Sequence, residues 1–116
     1  MVLRLALTAV LILALQDPEP AEKHVDPAKE VVVLVNESVP ESVSIGEYYA
    51  SRRAIPKTNI CRVRTTPNEI CDWKELRKDI LEPLKKFLED KHDVLYIVPV
   101  WGIPVKTREE NPANDG

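Results

Sequence analysis

The chain has 116 residues, enough for one domain at most, with 44% hydrophobic and 30% charged residues and a net charge of −3. The basic residues are scattered among acids, which gives no electrostatic basis for binding nucleic acid or an anionic membrane surface. We therefore expect no nucleic-acid partner.

Residues 1–16 have the composition of a secretory signal peptide, and we assign them as one. Arg4 is their only charge, and residues 5–15 form an apolar run broken only by Thr8. That run is too short to cross a hydrocarbon core of about 30 Å at about 1.5 Å per residue. A buried first helix or strand is the alternative, and Gln16 at an imperfect cleavage site also allows retention as a weak anchor. We predict export to the periplasm, cell surface or medium, with no membrane span beyond this segment.

Residues 17–29 contain three prolines and few apolar side chains, which predicts an extended linker. An α/β domain then occupies residues 30–106. Its first strand, residues 31–35, is apolar at every position, as is typical of a strand buried in a parallel sheet. A helix follows with Ser38 as its cap and Glu41 closing a capping box, and it ends near Arg53.

Residues 60–65 alternate apolar and polar, which predicts an edge strand. Asp72 and Glu75 form a second capping box at the start of an amphipathic helix, and Pro83 predicts a kink within it. The third strand runs from Val94 to Val98, and pairing either fails at Pro99 or leaves that residue on an open edge.

This β-α-β-α-β order predicts a three-stranded parallel sheet of order 2-1-3, with the most apolar strand in the centre and one helix on each face. Order 1-2-3 is the alternative. The third strand, residues 94–98, is apolar enough to need a neighbour, and residues 107–116 form a polar tail that has the composition of a truncated loop. We expect the chain to be the first part of a larger doubly wound domain, able to self-associate through that strand.

Several short motifs resemble the opening of an uncharacterised exported bacterial family found in genomes that carry exosortase protein-sorting systems. They recur in order at matching spacing: Tyr48-Tyr49-Ala50, Arg52-Arg53, Ile55-Pro56 and Gly102-Ile103-Pro104. The resemblance covers about residues 30–105 and implies a longer protein, but it implies no activity.

The element order also resembles the first half of the caspase- and gingipain-like hydrolase fold. In that fold a His-Gly pair follows the third strand and the nucleophilic cysteine follows the fourth. The corresponding position here is Trp101-Gly102, so the histidine is absent. We assign no catalytic residue.

A candidate ligand crevice lies where strands 1 and 3 meet at their carboxyl ends, as expected at a topological switch point. Its predicted lining is Asn36, Glu37, Ser38, Trp101 and Gly102. The helix N-terminus beside it suits a small anion or a peptide carboxylate. The alternative is that Asn36 and Ser38 only satisfy turn and cap hydrogen bonds.

The remaining reactive side chains form no recognisable site. His24 and His92 lie away from the carboxyl ends of the strands. Cys61 and Cys71 are separated by four strand residues of about 3.3 Å each and then a turn, so we predict no disulfide between them. No glycine-rich phosphate loop is present, and we expect no cofactor and no metal.

Together these features predict an exported α/β domain fragment with a binding or cell-surface role and no catalysis of its own. The alternative is the N-terminal half of a peptidase-like hydrolase whose catalytic residues lie outside this chain.

Overall fold

A computed structural model describes residues 25–108, which contain a three-stranded parallel sheet. Its strands are β1 (Val31–Asn36), β2 (Ile60–Val63) and β4 (Tyr96–Pro99), in the order β2-β1-β4. The α/β class and the predicted order 2-1-3 of the three main strands are confirmed. β1 is the buried centre because an aliphatic run can be covered on both faces only there.

One helix covers each face of the sheet. The first, α1 (Pro40–Arg52), packs on the face formed by Val33 and Val35. The second, α2, spans residues 73–88 as three consecutive segments: Trp73–Glu75, Leu76–Leu81 and Glu82–Leu88. Ile80 of α2 packs against Val32 and Leu34 on the opposite face. Alternate residues of β1 therefore serve two separate hydrophobic clusters.

Small residues let α1 lie close to β1. Gly46 and Ala50 are buried on its inner side, and a Cβ atom at Gly46 would run into the Cγ1 methyl of Val35. The helix ends in a Schellman motif, in which the N–H of Ile55 donates to the carbonyl of Ala50 (2.9 Å) and that of Ala54 donates to Ser51 (3.3 Å). Ala54 takes a left-handed conformation, with φ 54°, at the position that usually holds glycine.

The start of α2 is as predicted, and its middle contains a π-helical segment that the sequence did not indicate. The Asp72 carboxylate accepts from the N–H of Glu75 at 2.7 Å, and the Glu75 carboxylate accepts from the N–H of Asp72 at 3.0 Å. The residues that precede Pro83, Leu76–Leu81, form a π-helical segment, and Glu82 donates its N–H to the carbonyl of Arg77. Pro83 has no N–H to donate within the helix, and the wider π-helical turn before it accommodates this missing hydrogen bond.

The start of α1 differs from the prediction. The helix begins at Pro40, and Val39 occupies the N-cap without a side-chain hydrogen bond, so the Ser38–Glu41 capping box is wrong. Ser38 instead donates its N–H to the Oδ1 atom of Asn36, at 3.0 Å. A turn built on the asparagine side chain replaces the expected serine cap.

The third main strand is displaced by about two residues. β4 begins at Tyr96 and includes Pro99, which lies opposite Leu34. The ladder continues past the proline, because Val100 donates to the carbonyl of Leu34 at 3.1 Å. Neighbouring residues of a strand direct their N–H groups to opposite sides, so the missing donor of Pro99 falls on the outer side of the sheet.

A second, two-stranded parallel sheet was not predicted. It pairs β3 (Ile70–Cys71) with β5 (Lys106–Thr107) and ties the segment before α2 to the segment after β4. The predicted boundary at residue 106 therefore falls inside a strand. Similarly, Pro27–Glu30 form a 3₁₀ turn capped by Asp26, where an extended linker was expected.

The signal peptide at residues 1–16, the linker up to residue 24 and the tail from residue 109 lie outside the described residues. Among residues 25–108, none of the helices combines the length and the apolar composition that a membrane crossing requires.

Candidate functional site

The loops that follow the three main strands meet at the carboxyl end of the sheet, around the side chain of Asn36. This residue ends β1 and is fully buried, with 0% of its surface exposed. A buried amide must find partners for two N–H donors and one oxygen. Asn36 finds them in the loops on both sides of β1.

Five hydrogen bonds use the polar atoms of the Asn36 side chain. Its Nδ2 atom donates to the carbonyl oxygens of Gly102 (2.9 Å), Thr65 (3.1 Å) and Thr66 (3.3 Å). Its Oδ1 atom accepts from the N–H groups of Ser38 (3.0 Å) and Thr65 (3.2 Å). One side chain therefore holds the loops after β1, β2 and β4 together.

The backbone of Asn36 adds a link to α1. Its N–H donates to the hydroxyl of Ser42 at 2.9 Å, and Ser42 is itself fully buried in the first turn of the helix. These hydrogen bonds fix the carboxyl end of β1 to α1 and to the loops that follow β2 and β4. The sequence prediction found Asn36 but not Ser42, although a serine four residues before Gly46 and eight before Ala50, on the inner face of the helix, was a visible signal.

Gly102 is required for the shape of the loop after β4. Its φ is +92°, and a Cβ atom there would lie 3.1 Å from the Cβ of Ser42 and 3.3 Å from that of Val39. Both the backbone conformation and the close approach to α1 make any larger residue strained at this position. The preceding Trp101 is held outside, with 73% of its surface exposed.

The five predicted crevice residues are brought to the same end of the sheet, where ligand binding stays a prediction, and the local hydrogen bonds favour the alternative that Asn36 and Ser38 satisfy turn contacts. The amide of Asn36 is fully occupied by protein partners. Glu37 forms an ion pair with Arg64 at 3.1 Å, and Glu41 adds a further acid to the first turn of α1. A helix N-terminus flanked by carboxylates is unfavourable for a negative ligand.

An open groove of about 340 Å³ lies beside Trp101, between the loops that follow β2 and β4. Its lining consists of Pro67, Glu69, Pro99, Val100, Trp101, Gly102, Ile103 and Val105. Of these, only Trp101 and Gly102 were predicted. Pro67, Glu69 and Val105 reach the groove because Val105 donates to the carbonyl of Glu69 at 2.9 Å beside the second sheet. That long-range pairing had no sequence signal.

One polar atom at this end lacks a partner among the described residues. The Oγ1 atom of Thr65 is buried without a hydrogen bond, although the backbone of the same residue is held by Asn36. A buried hydroxyl without a partner costs about 1–3 kcal/mol.

The two thiols are buried and free. Burial raises the pKa of Cys61, and burial followed by the nearby carboxylate of Glu75 raises the pKa of Cys71. A raised pKa lowers the thiolate population at neutral pH, so neither side chain is prepared as a nucleophile. His92 is exposed at the opposite end of the sheet, and His24 lies outside the described residues.

Comparison of the chain with protein-family models, with curated proteins and with solved structures gives no match. The fold and the local geometry therefore carry the functional argument.

Proposed function

We propose that this is an exported, non-catalytic binding protein, and that the surface around Trp101 recognises an apolar segment of a partner protein. The observation that carries the proposal is the 73% exposure of Trp101 on a loop that Asn36 and Gly102 hold in place. Tryptophan is enriched among residues that dominate binding energy, and a fixed loop limits the entropy lost on binding.

The surroundings of Trp101 support an apolar partner. Val105, which lines the groove beside Trp101, is 68% exposed, and three further apolar residues are exposed at the start of β4: Leu95, Tyr96 and Ile97. Large exposed apolar patches on a protein often mark surfaces that bind other proteins. Glu69 in the groove favours a partner that carries a basic residue beside its apolar ones.

Site-specific photo-crosslinking tests this surface. A benzophenone amino acid replaces Val105, which lines the groove beside Trp101 and is 68% exposed, in one variant and Tyr48, an exposed residue on α1 with 67% of its surface exposed, in the control. We expect one discrete protein adduct from position 105 and none from position 48 in cells that secrete the full chain. Equal adducts at both positions, or none at 105, would contradict the proposed surface.

Export is proposed from the sequence of residues 1–16 and from the resemblance to an exported bacterial family. A reporter fused after Gly116 tests it independently of the binding surface. The fusion is expected outside the cytoplasm, and deletion of residues 5–15 is expected to retain it inside. Cytoplasmic accumulation of the intact fusion would refute export while leaving the binding proposal open to the crosslinking test.

A further inference from the structure

The outer side of β2 offers a second candidate surface, which differs from the Trp101 groove in its chemical character. Within residues 25–108, β2 pairs only with β1. Glu37 donates to the carbonyl of Val63 at 2.8 Å, so the backbone of Val63 faces β1. By the alternation of a strand, the N–H and C=O of Arg62 face outward, where an added strand would find them.

A cavity of about 500 Å³ lies directly beside this edge, beneath the last turns of α1. Buried apolar residues contribute to its wall: Ala50, Ile55 and Ile60. More polar residues complete the lining: Glu47, Ser51, Lys57 and Arg62, with Ala54 between them. The space is large enough for one apolar side chain of a ligand whose backbone lies along β2.

The charges around the cavity favour an acidic ligand. Arg62 is already paired with Glu47, at 2.9 Å between Nη2 and Oε1. Lys57 forms no ion pair with any residue in the range 25–108. Lys57 and Arg62 against Glu47 leave a net charge of one positive unit at the lining. Arg52 and Arg53 add further positive charge at the adjacent end of α1.

We propose that the β2 edge binds an extended acidic peptide of a partner protein as an added strand. Its main chain would hydrogen-bond to the backbone of Arg62, an apolar side chain would enter the cavity, and a carboxylate would pair with Lys57. Strand addition of this kind takes its affinity from main-chain bonds and its specificity from side-chain pockets. The proposal is independent of the role assigned to Trp101.

A phage-displayed library of random linear nonapeptides, panned against the full chain, tests the proposal. Enriched sequences are expected to carry Asp or Glu beside a large apolar residue. In fluorescence anisotropy, Lys57→Glu should weaken the best peptide about tenfold, since it reverses the charge nearest the carboxylate. Ser51→Phe, which fills the cavity from an exposed helix position, should abolish binding.

Lys85→Glu is the matched control, an exposed charge reversal on α2 that should change the affinity less than about twofold. If circular dichroism shows that Ser51→Phe does not fold, the peptide affinity of Lys57→Glu compared with that of Lys85→Glu tests the proposal by itself. The proposal is wrong if no peptide is enriched, if the enriched peptides lack acids, or if Lys57→Glu binds normally. A dimer of the full chain that Ser51→Phe splits into monomers would show that a second copy, not a peptide, occupies the edge.

Discussion

The two outer strands of the sheet have similar positions but opposite surface chemistry. β2 presents the free backbone of Arg62 beside a cationic cavity, while much of its side-chain surface is buried in the core. β4 exposes large apolar side chains, yet Pro99 removes a backbone donor from its outer side. The more apolar edge therefore lacks one main-chain donor, at Pro99, that an added strand would use.

The two edges show that an apolar strand surface and the capacity for main-chain pairing are separate properties, which hydrophobicity in the sequence does not distinguish. Apolar side chains indicate where burial of a surface is energetically favourable. The main-chain N–H and C=O groups decide whether another strand can pair there. On β4 we expect recognition through side chains, centred on Trp101. On β2 we expect recognition through the main chain of Arg62.

Replacing Asn36 should have the largest effect, because this residue ties the loops of both edges to the centre. Asn36→Ala removes five side-chain hydrogen bonds and leaves the carbonyls of Thr65 and Gly102 without that donor. We expect the free energy of unfolding to fall by about 3 kcal/mol or more. Urea denaturation measures it, and Asn68→Ala, an exposed loop substitution, should cost less than about 0.5 kcal/mol.

Asn59 is the counterpart at the amino end and serves the β2 side alone. Its Nδ2 atom donates to the carbonyls of Lys29 (3.2 Å) and Val31 (3.0 Å), which fixes the entry to β2 beside the entry to β1. Asn59→Ala should cost about 2 kcal/mol in the same denaturation experiment, less than Asn36→Ala because it breaks two bonds and not five. An equal or larger loss would mean that the amino end, not the carboxyl end, holds the edges together.

Pro99→Val should make the β4 edge resemble the β2 edge. The new N–H faces outward and can form one added hydrogen bond per chain between two β4 strands. We expect sedimentation equilibrium to show self-association about tenfold tighter than in the parent chain. Pro67→Val, in the exposed loop after β2, is the control and should leave the association unchanged. Unchanged association of Pro99→Val would mean that the proline is not what limits pairing.

Ala54→Gly should produce the smallest change, a gain in stability at the border of the β2 cavity. Ala54 has φ 54°, and glycine adopts this conformation without a Cβ penalty. The free energy of unfolding should rise by about 1 kcal/mol. Ser51→Gly, within the helix, should instead lose about 0.5–1 kcal/mol, and a loss from both substitutions would contradict the assigned helix end.

The sequence predicted the parts of the fold that depend on local pattern. The aliphatic run of β1, the Asp72–Glu75 capping box and the helix end near Arg53 each carry their signal within a few residues, and the structure has all three. The order of the main strands followed from which of them was apolar on both faces.

The errors fall where contacts distant in sequence decide the structure. Ser38 was predicted to cap α1, but its N–H donates to Oδ1 of Asn36, whose Nδ2 donates to the carbonyl of Gly102, 66 residues away. The pairing of β3 with β5 joins segments too short to show any pattern. Asn36 lies at the carboxyl end of the sheet as predicted, but its neighbours use its side-chain amide, so the contacts shown are those of a residue that positions the Trp101 loop.

Amide hydrogen exchange tests most directly the claim that Asn36 organises the carboxyl end of the sheet. The N–H groups of Ser38 and Thr65 both donate to the Oδ1 atom of Asn36. In the full chain, we expect slow exchange at both amides, and loss of that protection in Asn36→Ala while the amides of β1 stay protected. Rapid exchange of Ser38 and Thr65 in the unaltered protein, or protection that survives Asn36→Ala, would contradict it.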